Sequence, residues 1–283
     1  MKNLLLFCFL FLMISCEREV EIDAPPYDSK IVVNGLLSNE KEIRVAVSHS
    51  VVALSDLRPA YLEDAVVEIW EDGSTIGTGT YDAFNKYYSW PQNPKPGSQY
   101  RIRVSHPDYP VVDEIMYLPN PGTLGGVVYL DSVGLDTSGN ALAAMEITIN
   151  DPGGERNFYK VFFSYYFQNS VFLPFEFLTN DAILLSPSTT KEDDGSYMFS
   201  DELFNGNTRT IRVEFSRDIA TGSPRFMVLS EVLGEDLYKY RVSLTRFEES
   251  KENPFVEPVF VYSNIRNGLG ILAGSIAERD TIN

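Results

Sequence analysis

From Lys30 onward the chain repeats one pattern. Short runs of alternating apolar and polar residues are each closed by glycine, proline, asparagine or aspartate. Successive side chains on a strand point to opposite faces, so runs of period two specify half-buried strands. Many such runs separated by turn residues specify sheets packed face to face. In "EIRVAVSH", Ile43, Val45 and Val47 alternate with Arg44, Ala46 and Ser48. In "DAVVEIWEDGS", Ala65, Val67 and Ile69 share a face, and Asp72 with Gly73 supplies a tight hairpin turn. "QYRIRVSH" places Tyr100, Ile102 and Val104 together, and "AMEITIND", "NFYKVFFSYYFQ" and "TRTIRVEFS" continue the texture. The expected class is mainly β, with two β-sandwich-like domains.

"LPNPGTLGG", with two prolines and three glycines, is the natural break. It divides residues 30–118, read as one β-sandwich, from 127–283, a second β-rich domain, with 119–126 as linker. Each segment has its own apolar faces, so residues 26–118 are expected to fold without 121–283. One stretch departs from period two. Leu233, Leu237, Tyr240, Leu244 and Phe247 are spaced four, three, four and three, which predicts one amphipathic helix over 234–248 in the C-terminal domain. Glu235 and Asp236 near its start and Lys251 beyond its end suit the helix dipole. The helix is expected to dock through Leu237, Tyr240 and Leu244.

The N-terminus carries an address. Lys2 and Asn3 precede an apolar run over residues 4–14, which ends at Ser15 and Cys16. A basic start, a short apolar run and a small residue describe a secretory leader too short to span a bilayer. The cysteine directly after it marks residues 1–15 as a lipoprotein signal peptide and Cys16 as the lipid attachment residue, with more than one acyl chain making a stable anchor. Cys8 leaves with the leader, so no intramolecular disulfide can form in the mature chain. Residues 16–29, "CEREVEIDAPPYDS", read as an acidic, proline-bearing tether. The formal charge of −17 excludes nucleic acid as a natural partner and argues against docking on anionic lipid.

Catalytic and metal-binding patterns are not found. His49 and His106 stand apart at strand ends and do not make a zinc site. G-x-S-x-G, the nucleophile elbow, does not occur. "NGLGILAG" matches G-x-G-x-x-A but lacks the strand–helix context of a dinucleotide loop. "KEDDGSYMFSDELF" holds Glu192, Asp193, Asp194, Asp201 and Glu202 in the wrong spacing for an EF-hand and reads as a solvated turn. No cofactor or metal is expected, and the chain is not expected to be an enzyme. The aromatic stretch is more telling. Ten aromatic residues fall between 158 and 177, so both faces of the strand around Phe163 are aromatic. One face fills a core; the other must be covered from within the chain or by a partner. Tyr159, Phe163, Tyr165, Tyr166 and Phe167 are therefore a candidate interaction surface.

Two resemblances follow from these pieces. "AVVEI", the Asp–Gly turn and "PGSQYRIRV" resemble transthyretin-like and carboxypeptidase-regulatory-like sandwiches. The lipid cysteine with "IVVNGLLS", "AVVEIWEDG", "KPGSQYRIRVSHPDYP", "FSDELFNGNT" and "YKYRVSLTRFEESKENPFVEPVFVYSNIRNGLGILAG" resembles the Bacteroidota lipoproteins catalogued as domain of unknown function 4249. Acidic residues after the lipid cysteine resemble the export signal of such lipoproteins for the cell surface. That resemblance implies a noncatalytic, surface-exposed outer-membrane lipoprotein, lipid-anchored and accessory to a TonB-dependent β-barrel receptor, binding the receptor or its cargo. The alternative is an adhesin-like or glycan-binding module that uses the aromatic stretch 158–177.

Overall fold

The computed structural model describes residues 27–52, 60–121, 124–167, 171–220, 225–251, 257 and 259–282. The expected signal peptide over residues 1–15, Cys16 and linker residues 122 and 123 lie outside the described residues. The first segment forms β1 (Ile31–Ser38), β2 (Ile43–His49), β3 (Val66–Glu71), β4 (Ser74–Thr78), β5 (Thr80–Asp82), β6 (Tyr87–Trp90), β7 (Gln99–His106) and β8 (Tyr109–Tyr117). The second begins with β9 (Leu124–Leu135), β10 (Ala141–Asn150), β11 (Phe158–Phe167) and β12 (Val171–Pro174). It continues through β13 (Thr190–Lys191), β14 (Tyr197–Ser200), β15 (Thr208–Ser216) and β16 (Phe226–Leu233) to α1 (Glu235–Lys251) and β17 (Leu269–Ile282).

Alternation in the sequence becomes alternation in burial. Along β2, Ile43, Val45 and Val47 are buried while Arg44 is exposed. Asp72 (φ 48°) and Gly73 (φ 79°) both take the left-handed conformation, the turn whose twist suits the β3–β4 hairpin. The pairings assemble a ten-stranded sheet in the order β13-β14-β11-β16-β17-β1-β2-β6-β5, with β12 joined to β11. A four-stranded sheet, β4-β3-β7-β8, packs on its first-segment end, and a three-stranded sheet, β15-β10-β9, on its second-segment end. The protein is mainly β, built as sandwich-like layers with α1 as the one α-helix among the described residues.

β17 crosses the division drawn at 119–126. It belongs by sequence to the second segment, yet it runs parallel to β1, with Val32 opposite Leu269 and Ser38 opposite Ser275. On its other side it is antiparallel to β16. The strand lies so close to β1 that a Cβ on Gly270 (φ 103°) would stand 2.1 Å from the Val33 carbonyl oxygen. Glycine is required there on both counts. Leu272 and Ile276 of β17, with Ile265, complete the first core beside Val33, Val45, Val67 and Ile102. The expectation that residues 26–118 fold alone is therefore revised, because that piece lacks part of its own core.

The second core gathers Met145, Ile147, Tyr159, Phe163, Phe199 and Phe215 between the three-stranded sheet and β11, β14 and β16. A third cluster lies under α1, where Leu237 meets Phe158, Met198, Leu233, Ile271 and Ala273. The helix starts one residue later and ends three later than 234–248, and Leu233 closes β16 instead of entering it. Leu237 is 2% exposed, whereas Leu244 and Phe247 are only half-buried. The docking expected of Leu244 is thus corrected: the helix is held mainly at its first turns. Leu237→Ala is expected to cost about 2–5 kcal/mol in urea denaturation, as truncation of a buried leucine does. Leu244→Ala should cost well under half as much.

Candidate binding groove

Where β8 leaves the first sandwich and β10 turns into β11, the two cores leave a groove of about 810 Å³. One wall is the β8 exit, Tyr117 to Pro121; the other is the β10–β11 loop, Asn150 to Phe158; Val232, Leu233, Gly234 and Glu235 make the floor. Small-molecule sites usually occupy about 300–1,000 Å³ and favour junctions of this kind.

Both walls are fixed by hydrogen bonds. Gly97 N donates to the carbonyls of Leu118 (3.1 Å) and Pro119 (3.0 Å). In the facing loop, Asp151 accepts from Gly206 N at 2.7 Å and from the Tyr159 hydroxyl. Asn157 N donates to Asp201 Oδ2 (2.9 Å), and Asn205 Nδ2 donates to the Glu155 carbonyl (2.9 Å). Buried Asp201 thus ties the loop in place, which corrects the sequence reading of its segment as a solvated turn.

The groove leaves several polar groups unspent. Asn150 Oδ1 accepts from Thr208 Oγ1 (2.9 Å), so its amide nitrogen is free to donate. Asn157 Nδ2 is used on the Pro152 and Glu155 carbonyls, both at 3.2 Å, so its oxygen is free to accept. Asn120 and the Glu155 carboxylate have no partner among the described residues. Tyr117, 67% exposed, stands at the rim with its hydroxyl held by Gln99 Nε2.

Sequence-derived candidates lie elsewhere. Tyr159 (1% exposed) and Phe163 (2%) are core residues, so they do not belong to an interaction surface. Tyr165 packs against the same core. Tyr166 is half-buried, with the Arg225 guanidinium 4.2 Å from its ring centre and Phe172 at 5.1 Å. The Phe167 side chain lies outside the described residues, as does Cys16. Phe158, on the opposite face, is covered by α1 through Tyr238, with ring centres 4.5 Å apart. Both aromatic faces are therefore closed largely from within. His49 and His106 converge on Tyr109, with ring centres 6.4 and 5.3 Å apart. They sit by the start of β1, while the groove lies by its end, where Gly234 N donates to Gly274 O and Gly274 faces Leu37.

A buried ionic cluster escaped the sequence reading. Lys160, its side chain 6% exposed on β11, lies 2.9 Å from Glu192, 3.2 Å from Asp194 and 4.0 Å from Glu231. Arg241 of α1 adds a second cation at 2.9 Å from Glu192, and Ser275 donates to Glu231 (2.7 Å). Burial by itself raises the pKa of Asp194. Hydrogen bonds from the Ser196 hydroxyl and backbone, with the charge of Lys160, outweigh it and hold the carboxyl below its ordinary value. Glu192 and Asp194 thus clasp a lysine, a second correction to the solvated-turn reading. The cluster is structural: its charges are spent on one another.

Two cores around an open polar groove define a mainly β, sandwich-like scaffold with one candidate binding site, and a fold does not by itself name a ligand. Within that class, the chain belongs to the family Domain of unknown function (DUF4249), which it matches over residues 17–280. No curated protein matches it. Among solved structures, it is similar at 10% identity and TM-score 0.20 to a Bacteroides uniformis ATCC 8492 protein named for carbohydrate binding, covering 72% of this chain and 89% of that one. It is similar at the same identity and TM-score to a Corynebacterium diphtheriae protein named as membrane-anchored, covering 75% of this chain and 55% of that one. Likeness at this level carries no functional argument. Among the described residues, no helix is long and apolar enough to cross a membrane, and no group of three His, Cys, Asp or Glu could hold a metal ion.

Proposed function

We propose that the chain is a noncatalytic binding module, anchored in the outer membrane by lipid on Cys16 and exposed at the cell surface, where it serves a TonB-dependent transporter by binding the receptor or its cargo. The junction groove carries this reading. It is open, rigid-walled and lined by unspent polar groups, and its position fits the work. The tether enters at the start of β1, and the groove lies by the far end of that strand, roughly 20 Å away at about 3.3 Å per residue. An anchored molecule would therefore present the groove away from its attachment. An adhesin-like or glycan-binding surface on 158–177 has less support, since Tyr159 and Phe163 are buried.

The reading is tested by extracting the intact protein from its own membrane in mild detergent. A β-barrel receptor or its cargo should co-purify; a monodisperse protein without any companion contradicts the proposal. The anchor is tested separately. Cys16→Ser is expected to abolish acylation and move the protein out of the membrane fraction. Undiminished retention, with no lipid mass on the wild-type protein, contradicts it.

A further inference from the structure

We infer that the junction groove binds a neutral oligosaccharide; the inference rests on the groove being the binding site proposed above and names the class of ligand. Charge selects first. Four charged side chains line the groove: Asp151, Glu155, Arg156 and Glu235. Asp151 is engaged by Gly206 N and the Tyr159 hydroxyl, one on each oxygen, and Glu235 is paired with Lys239 at 2.9 Å. Glu155 remains, while Arg156 is already engaged, 3.8 Å from Glu202, 3.5 Å from the Ser200 hydroxyl and 5.5 Å from the centre of the Phe158 ring. An anionic ligand would gain one guanidinium and face three carboxylates in a chain of formal charge −17. A phosphate, a uronate or a nucleotide is thereby disfavoured.

Hydrogen bonding selects next. Asn157 offers a fixed acceptor and Asn150 a fixed donor, because each partner already made leaves one defined group free, and Asn120 offers both a donor and an acceptor. Groups that must both donate and accept at neighbouring positions are what these amides match, and the hydroxyls of a sugar are such groups. The Glu155 carboxylate extends the set as an acceptor. An apolar ligand of equal size would desolvate these groups without pairing them, at a cost of about 1–3 kcal/mol for each group buried unpaired. The Asp151, Asp201 and Asn205 bonds hold the loop, so little ordering is left to be done on binding.

Tyr117 supplies the apolar element. Its hydroxyl is anchored by Gln99 and its ring is mostly exposed at the rim. A pyranose has one face of C–H groups edged by hydroxyls, and an exposed phenol ring on a groove also lined by amides is complementary to both. A peptide would instead require side-chain pockets, and the apolar residues Val232 and Leu233 of the floor and Phe158 of the wall are buried.

The test uses the intact, detergent-solubilised protein on an array of neutral and acidic oligosaccharides and short peptides, followed by calorimetric titration of the best neutral glycan. Neutral glycans should be retained. Tyr117→Ala should weaken their binding by about tenfold or more, the loss of an aromatic anchor, while Tyr117→Phe retains it. Both variants should keep the wild-type thermal midpoint, since the side chain is exposed. Retention of acidic glycans or peptides alone, or affinity indifferent to Tyr117→Ala, overturns the inference. If a receptor or cargo still co-purifies with a protein that binds no neutral glycan, the ligand class fails and the binding-module reading stands. If neither occurs, both fail.

Discussion

A chain truncated after Gly268 is expected to lose cooperative folding altogether. The deletion removes β17, and with it the hydrogen-bonding partner of both β1 and β16. It takes Leu272 and Ile276 from the first core and Ile271 and Ala273 from beneath α1. Each buried leucine or isoleucine is worth about 2–5 kcal/mol when truncated to alanine. Three of them approach or exceed the whole margin of about 5–15 kcal/mol that holds a domain folded. Newly exposed edges on β1 and β16 would also invite aggregation. Residues 26–118 alone lack the same strand and should likewise show no cooperative transition; fusing residues 262–283 to them through a flexible linker should restore one. Circular dichroism and urea denaturation read all three chains. A sharp, reversible transition in 26–118 would show that the first sandwich closes without β17.

Lys160→Ala is expected to be nearly as damaging for a single substitution. It leaves Glu192 and Glu231, both largely buried, without the cation between them. Removing one partner of a buried ionic cluster typically costs about 3–5 kcal/mol, because the remaining charges stay desolvated. Arg241 and Ser275 continue to serve Glu192 and Glu231, which favours the lower end. Neutralising the carboxylates at the same time, as Lys160→Met with Glu192→Gln and Glu231→Gln, should recover much of the loss. The sign of the pH dependence also follows. Asp194 is held below its ordinary value, so its contribution is present above the unfolded pKa and is lost as pH falls through the folded one. A denaturation free energy unchanged by Lys160→Ala would place the cluster's charges in contact with water.

What could be read beforehand was local. The alternation in β2, the Asp72 and Gly73 turn and the four–three spacing of α1 are short-range consequences of backbone geometry, and they locate the elements to within a few residues. The pairing of β1 with β17 joins residues more than two hundred positions apart, and no period within either strand records it. "NGLGILAG" looked like a failed cofactor loop, yet Gly270 answers to the close approach of Val33. The aromatic stretch announced that two faces need cover, without saying that the second core closes one and α1 much of the other. Lys160 gave no warning either. A single lysine in an aromatic strand is indistinguishable from a solvated edge residue until its acidic partners, more than thirty positions on, are placed beside it. Asn120 lies in the proline and glycine break, Asn150 and Asn157 lie at the ends of alternating runs, and only the junction of two cores brings the three to one groove.

The central claim is that ligand engages the junction groove and not the aromatic hairpin. Hydrogen exchange of the intact protein, compared between the complex recovered from its own membrane and the same protein stripped of companions, tests it most directly. Exchange at residues 117–121 and 150–158 should slow in the complex, with the β11–β12 hairpin around Tyr166 and Phe172 unchanged. Slowing confined to that hairpin, with 117–121 and 150–158 exchanging as in the free protein, would contradict the account.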